Sequence, residues 1–172
     1  MSKKNKRTIP YRRRREGKTN YKKRLNLLKS RKLRLVIRRF NKNIIAQIIE
    51  YHPEGDKIIA SASSRELLKY GWKFNMRNIP SAYLIGLLIG KKAKGKEAIL
   101  DVGLQIPFKG GGLYATLKGA IDAGLVINAD EGVFPSQERI EGKHIVSYEK
   151  NNIDAKEFEK VFKEIKEKIM KG

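Results

Sequence analysis

Cysteine is absent from this sequence, which excludes both a disulfide framework and thiolate metal centres. Histidine occurs only as His52 and His144, and without thiolates two imidazoles do not make a structural zinc site. No apolar run reaches the ~18 residues expected of a membrane span. The longest, Ile79 to Gly90, contains two glycines and stops at Lys91 and Lys92. The first residues carry cations with no apolar stretch behind them, so no secretory signal is expected. No serine sits in a histidine-and-acid context, which leaves nucleophilic catalysis without a candidate set. Acids are also scarce: 18 Asp and Glu face 39 Lys and Arg, a net charge of +21 over 172 residues.

That excess is concentrated. Between Lys3 and Arg39 there are 18 Lys or Arg and one acid, Glu16, so this stretch carries 17 of the 21 net positive charges. Charge of one sign at this density repels itself and needs a polyanion as partner. Tyr11, Tyr21 and several leucines interleave with the cations, which points to a binding arm rather than a solvated tail. Met1 to Lys18, with Pro10, Gly17 and the four arginines Arg12 to Arg15, has no periodic apolar face and is expected to be extended or disordered until bound. At ~3.3–3.6 Å per residue it reaches roughly 60 Å. Thr19 is the expected N-cap of a short helix, Asn20 to Lys29. In that helix Tyr21, Leu25 and Leu28 form an apolar stripe for docking, while Lys22, Lys23, Arg24 and Lys29 point elsewhere.

Beyond the arm the period changes to two. Leu33, Leu35 and Ile37 alternate with Arg34, Val36 and Arg38, predicting a strand with one apolar and one largely cationic face. Ile44 to Glu50 and Lys57 to Ser63 follow across turns at Phe40 to Asn43 and His52 to Asp56, an antiparallel meander. A short helix from Ser64 ends near Gly71, and Pro80 opens another whose buried face holds Tyr83, Leu84, Leu87 and Leu88. Glu97 to Val102 reads as a strand buried on both sides. The loop Lys109 to Gly112 leads into a helix with Leu113, Leu117, Ala120 and Ile121 inward, ended by Gly124. Leu125 to Ile127 is a last strand candidate. Asp130 to Asn152 is polar and loop-rich, with a helical turn near Gln137 to Glu141. Asp154 caps a final helix with Phe158, Val161, Phe162, Ile165 and Ile169 on one side. The order implies an α/β domain with a mixed sheet covered on both faces. It divides into a basic arm with a short helix (1–31), an α/β core (32–128), and a loop with a C-terminal helix (129–172).

Few residues offer other chemistry. Gly86 to Lys92 lacks the spacing and hydroxyl of a phosphate-cradling loop, whereas Gly110-Gly111-Gly112 before a helix offers backbone amides to a phosphate. Trp72 with Lys73, Phe74 and Arg77 is an aromatic–cationic cluster of the kind unpaired bases stack on, or else partial core. Ser61, Ser63 and Ser64 lie at a strand end and suit sugar or phosphate oxygens, or simple edge polarity. Asp101 and Asp122 are the one enzymatic candidate: an acid pair for Mg²⁺ in an RNA-processing nuclease, against which stands ordinary pairing with cations or caps.

Several blocks resemble a known family. They are YRRRREGKTNYKKRLNLLKS, RLVIRRFNKNIIAQIIEY, IIASASSREL, NIPSAYLIGLLIGKKA, AILDVGL and LYATLKGAIDAGL, which together cover most of Tyr11 to Val126. In order and spacing they resemble large-subunit ribosomal protein eighteen, the universal 5S rRNA-binding family, in its archaeal and eukaryotic form; PSQERIEGKHI is similar to the archaeal tail. The resemblance implies a three-layer α/β/α domain of ribonuclease-H-like topology without nuclease activity, cofactor or small-molecule substrate. It implies a cytoplasmic, ribosomal, non-membrane protein that helps seat 5S rRNA in the central protuberance. Its neighbours there would be 23S-type rRNA, large-subunit ribosomal protein five and other ribosomal proteins. By motif, the RNA contacts would include Tyr11, Arg12, Arg13, Arg14, Arg15, Lys18, Tyr21, Lys22, Lys23 and Arg24, with Arg38, Arg39, Asn41 and Lys42 at the first turn of the sheet. Arg7, Arg31, Ser61, Ser63, Trp72, Lys73 and Lys109 complete the expected set. Where the family often carries a basic residue this chain has Gly112, with Lys109 the nearest substitute expected.

Overall fold

The computed structural model describes residues 9–148 and 154–171. Its centre is a four-stranded sheet. β1 (Leu33–Arg39), β2 (Ile44–Glu50) and β3 (Lys57–Ser63) form the antiparallel meander expected from three β-rich runs with short turns between them. Arg39 pairs with Ile44 and Arg34 with Ile49 across the first hairpin. β4 (Ala98–Asp101) lies parallel to β1 on its other side, with Leu33 opposite Ala98 and Val36 opposite Asp101, so the order is β3-β2-β1-β4. Leu125 to Ile127 contributes only a parallel bridge, Glu97 to Val126, outside β4. β4 is therefore an edge of the four-strand ladder rather than a strand buried on both sides, and Ile99 and Leu100 are only half-buried.

The register sorts the side chains into two layers. Leu35 and Ile37 share a face with Ile44, Ala46 and Ile48, and all five are fully buried beneath α3 (Ile79–Lys92) and α4 (Gly112–Asp122). α3 is buried continuously from Pro80 to Gly90, not along one stripe, because it is wedged between the sheet, α4 and the C-terminal helix. Its crossing with α4 is made close by glycine. A Cβ on Gly86 would stand 2.1 Å from the Thr116 carbonyl oxygen, and one on Gly119 would stand 2.2 Å from that of Tyr83.

The opposite face is covered by the arm. α1 (Arg12–Arg15) is a single helical turn where an extended segment was expected, and α2 (Tyr21–Leu28) follows it. The cap of α2 is Asn20 and not Thr19: the Asn20 carboxamide accepts from the Lys23 amide at 3.0 Å, while Thr19 Oγ1 accepts from Arg13 Nε at 2.9 Å. The docked stripe also differs from expectation. Leu25 is 57% exposed, and the half-buried positions are Tyr21, Arg24, Leu27 and Leu28. The displacement follows from Arg24, whose ion pair with the body turns its own side of the helix inward.

A 3-10 helix (Ser64–Tyr70), closed by left-handed Gly71, leads into the loop before α3. Past α4 come a 3-10 turn (Glu131–Val133) and two single-turn helices, α5 (Gln137–Ile140) and α6 (Lys143–Val146). α7 (Ala155–Lys171) starts at Asp154, whose carboxylate accepts from the Lys156 amide at 3.0 Å. Phe158, Phe162, Ile165 and Ile169 of α7 join the main core. Phe158 stacks with Phe74 at 4.6 Å and Trp72 at 5.6 Å between ring centroids. Lys91 of α3 donates to the Ile169 and Met170 carbonyl oxygens at the far end, satisfying acceptors that a helix C-terminus leaves free.

Candidate nucleic-acid interface

The arm is tethered by a minority of its cations. Lys23 Nζ donates to the Gly103 carbonyl oxygen at 3.1 Å, and Arg24 donates to both oxygens of Asp56 at 2.8 and 2.9 Å. The Tyr11 and Tyr21 rings, 5.2 Å apart, hold α1 against α2, although Tyr11 remains 74% exposed. Arg12, Arg13, Arg14, Arg15, Lys18 and Lys22 all stand in solvent. Glu16, the one acid among them, reaches Arg12 at 3.6 Å and Lys18 at 2.9 Å, exposed pairs of little energetic weight. The result is a ridge of guanidinium and ammonium groups on a tethered backbone. Arg7 lies outside the described residues. Arg31, exposed and in the left-handed region at φ 54°, turns the chain from α2 into β1.

Beneath the arm, the cationic face of β1 is neutralised from within. Arg34 is only 3% exposed; its Nη1 donates to Asp101 at 2.9 Å and its Nη2 to Asp56 at 2.6 Å. Arg38 donates to the Asp101 carbonyl oxygen at 2.8 Å and to the Ile37 carbonyl oxygen at 2.9 Å, and lies 3.4 Å from Oδ1 of Asp101. The Gly103 amide adds a donor to Asp101 at 2.8 Å. Arg24, Asp56, Arg34, Asp101 and Arg38 thus form one chain of alternating charge running from the arm into the sheet. Desolvation pushes the Asp56 carboxyl up, but hydrogen bonds from Arg24 and Arg34 outweigh it and hold the group below its ordinary value.

This network changes the meaning of several expected contacts. Arg24 and Arg38 are engaged within the protein, as anchors of the arm and of the edge of the sheet. Asp101, with two guanidiniums against its carboxylate, sits where a divalent cation would be repelled. Asp122 is engaged elsewhere, accepting from the Tyr83 hydroxyl at 2.9 Å and pairing with Lys118 at 3.0 Å. Burial and that carboxylate push the Tyr83 phenol up, keeping it a donor. Among the described residues no three His, Asp or Glu gather as a metal site.

Elsewhere the expected set divides. Asn41, Lys42, Lys73 and Lys109 are exposed, Lys73 lying 3.9 Å from Glu157. Ser61 is exposed, and its carbonyl oxygen accepts from Lys92. Ser63 is occupied as the capping box of the 3-10 helix with Glu66, and Ser64 accepts from the Ile44 amide at 3.1 Å. Trp72 is 1% exposed, edge-on to Phe74 and Phe158, with its indole N–H on the Asn75 carbonyl oxygen; it is core and offers no stacking face. Lys109 is not the side chain nearest Gly112. That place belongs to Arg39, whose guanidinium carbon would lie 3.4 Å from a Cβ there. Sequence reasoning missed Asp56 as the hub of the arm's tether. It sits in a turn, where an acid reads as turn chemistry.

A family model described as ribosomal large subunit proteins 60S L5, and 50S L18 matches residues 5–97, from the arm through α3 to the edge of β4. The match spans more than half of the 172 residues and takes in the whole tethered arm and the buried charge network except Asp101. Ribosomal RNA is a polyanion of the kind that so basic a surface suits. The chain belongs to the family of large-subunit ribosomal proteins that comprises 60S L5 and 50S L18.

Proposed function

We propose that this chain binds 5S rRNA within the large subunit and helps seat it in the central protuberance, beside 23S-type rRNA and large-subunit ribosomal protein five. Its role is that of a non-catalytic RNA-binding constituent. The arm (1–31) and the exposed first hairpin turn provide the contacts, and the core with its C-terminal helix provides the platform. The observation that carries this reading is the tethered ridge. Six exposed cations, Arg12 to Arg15, Lys18 and Lys22, ride on a backbone fixed to the body through Lys23 and Arg24. A fixed array of this kind neutralises phosphates and releases counterions at a smaller ordering cost than a free tail would incur.

Salt dependence of 5S rRNA binding tests it. About eight neutralised phosphates give a log–log slope of roughly −6 to −7, and deleting residues 1–18 weakens binding and flattens that slope. An unchanged slope refutes the arm's role. Single Arg→Ala changes within Arg12 to Arg15 each have little effect, because the charge is redundant. Incubation with structured RNA and Mg²⁺ discriminates the nuclease alternative: RNA that stays intact in a stable complex supports the structural role. Cleavage abolished by Asp101→Asn overturns it.

A further inference from the structure

We infer that Asp56, an acid, is a positioning residue for RNA binding and for the choice of folded over flexible RNA. Its carboxylate holds the arm's cationic ridge in one place on the body. This deepens the proposed function and rests on its premise that the ligand is RNA.

α2 has little of its own to keep it in place. It is eight residues long with none buried, and isolated helices shorter than ~12–15 residues are marginal in water. Lys22, Lys23 and Arg24 crowd its first turn, where no acid stands, so its charges oppose the helix dipole. Among the described residues, side-chain hydrogen bonds join the arm to the body at two points. Lys23 donates to the Gly103 carbonyl oxygen at 3.1 Å, and Arg24 donates to both oxygens of Asp56 at 2.8 and 2.9 Å. Only the second sets charge against charge, and its two side chains are 33% and 23% exposed.

Asp56 can hold the arm because it is itself held. Its Oδ2 accepts from Arg34 Nη2 at 2.6 Å, and the buried Arg34 is fixed in turn by Asp101 at 2.9 Å. Arg34 belongs to β1, so one carboxylate ties the arm to the sheet. Two guanidiniums neutralise that carboxylate, which leaves little repulsion toward RNA. The exposed cations Arg12 to Arg15, Lys18 and Lys22 are then presented at fixed spacing. Folded RNA also has its phosphates at fixed spacing and is met without a further cost of ordering the arm, whereas a flexible strand adapts to a loose arm as well as to a fixed one. Loss of the tether lowers the fraction of molecules with the arm in place, and the apparent Kd rises by the same factor. The same phosphates are neutralised once the arm is down, so the salt slope does not change.

The test uses the full chain as parent, Asp56→Asn, Arg24→Gln and the double variant. Each is titrated over a range of salt with 5S rRNA, an unrelated RNA hairpin and a uridine dodecamer. Asp56→Asn also takes a partner from buried Arg34; Arg24→Gln leaves Arg34 both its carboxylates and so separates the tether from the core. Both single variants speed amide hydrogen exchange across Tyr21–Leu28, and Arg24→Gln does so with parental exchange in β1 and β2. Both raise Kd for 5S rRNA and for the hairpin about tenfold at parental slope, as the fraction with the arm in place falls to about a tenth. Asp56→Asn leaves the dodecamer Kd at or below the parent's, because the net positive charge has risen. The double variant stays within about twofold of either single, since both remove the same contact. An Asp56→Asn chain that binds the two folded RNAs as tightly as the parent, as charge alone dictates, overturns the inference. So does equal weakening on the dodecamer, the mark of a merely destabilised fold. Arg24→Gln with a slope smaller by ~0.7–0.9, and a double variant whose effects add, would make Arg24 a phosphate ligand and likewise overturn it. If the parent binds 5S rRNA no better than the hairpin, the 5S reading fails, and the ratio of hairpin to dodecamer affinity still decides the role of Asp56.

Discussion

Asp101→Asn isolates the buried charge network. The substitution keeps the shape and one acceptor but removes the negative charge that Arg34 and Arg38 share. The Arg34 and Asp101 side chains are 3% and 8% exposed, so solvent cannot take over the lost interaction. Removing one partner of a buried, hydrogen-bonded ion pair costs about 3–5 kcal/mol, and the retained acceptor places the loss near the lower end, about 3 kcal/mol. For a chain of this size that lowers the thermal midpoint by ~6–12 °C, at roughly 2–4 °C per kcal/mol. Urea unfolding followed by circular dichroism measures it directly, with a fall in midpoint at unchanged slope. Replacing Arg34 by Met and Asp101 by Leu together recovers a large part of the loss, because the desolvation penalty goes with the charges. A single variant within ~0.5 kcal/mol of the parent would refute the view that this network fixes the sheet beneath the arm.

Other expectations follow from the same geometry. Gly86→Ala raises helix propensity by about 1 kcal/mol, yet destabilises by about 1–3 kcal/mol net or blocks folding, because its Cβ meets the Thr116 carbonyl oxygen; a melting curve decides the sign. Asp56, held below its ordinary pKa by Arg24 and Arg34, contributes stability that is fully present above the unfolded value near ~3.9 and lost as pH falls through the lower folded value. The gap between parent and Asp56→Asn in urea midpoint should therefore narrow as pH falls below about 4. A gap of constant size from pH 6 down to pH 2 contradicts the assignment. Phe158→Ala removes the ring that Trp72 and Phe74 pack on and costs about 3–5 kcal/mol, and a red shift in Trp72 fluorescence reports the opened core.

The local signals carried far. Period-two alternation placed β1, β-rich runs between turn residues placed β2 and β3, glycine and proline marked ends of α3 and α4, and the spacing from Phe158 to Ile169 placed the buried face of α7. The one-signed charge before Phe40 stated the need for a polyanion without any fold. Each of these signals lies within a few residues along the chain, which is why the amino-acid order alone determined them. What it left open depends on residues distant in sequence. Arg34 and Arg38 look like solvent cations until Asp101, 67 and 63 residues on, is brought to them by the parallel pairing of β4 with β1. Arg24 pulls α2 onto its own side only because Asp56 waits in a turn 32 residues away, so the stripe through Leu25 was the wrong one. Trp72 becomes core only when α7 delivers Phe158, and Arg39 finds no carboxylate among the described residues because register puts it on the face opposite those acids. Composition and period determined where the charge is and which segments are helix or strand. Tertiary structure decided which charges are neutralised within the protein and which are left for RNA, because an ion pair or a buried ring is a property of two residues in space.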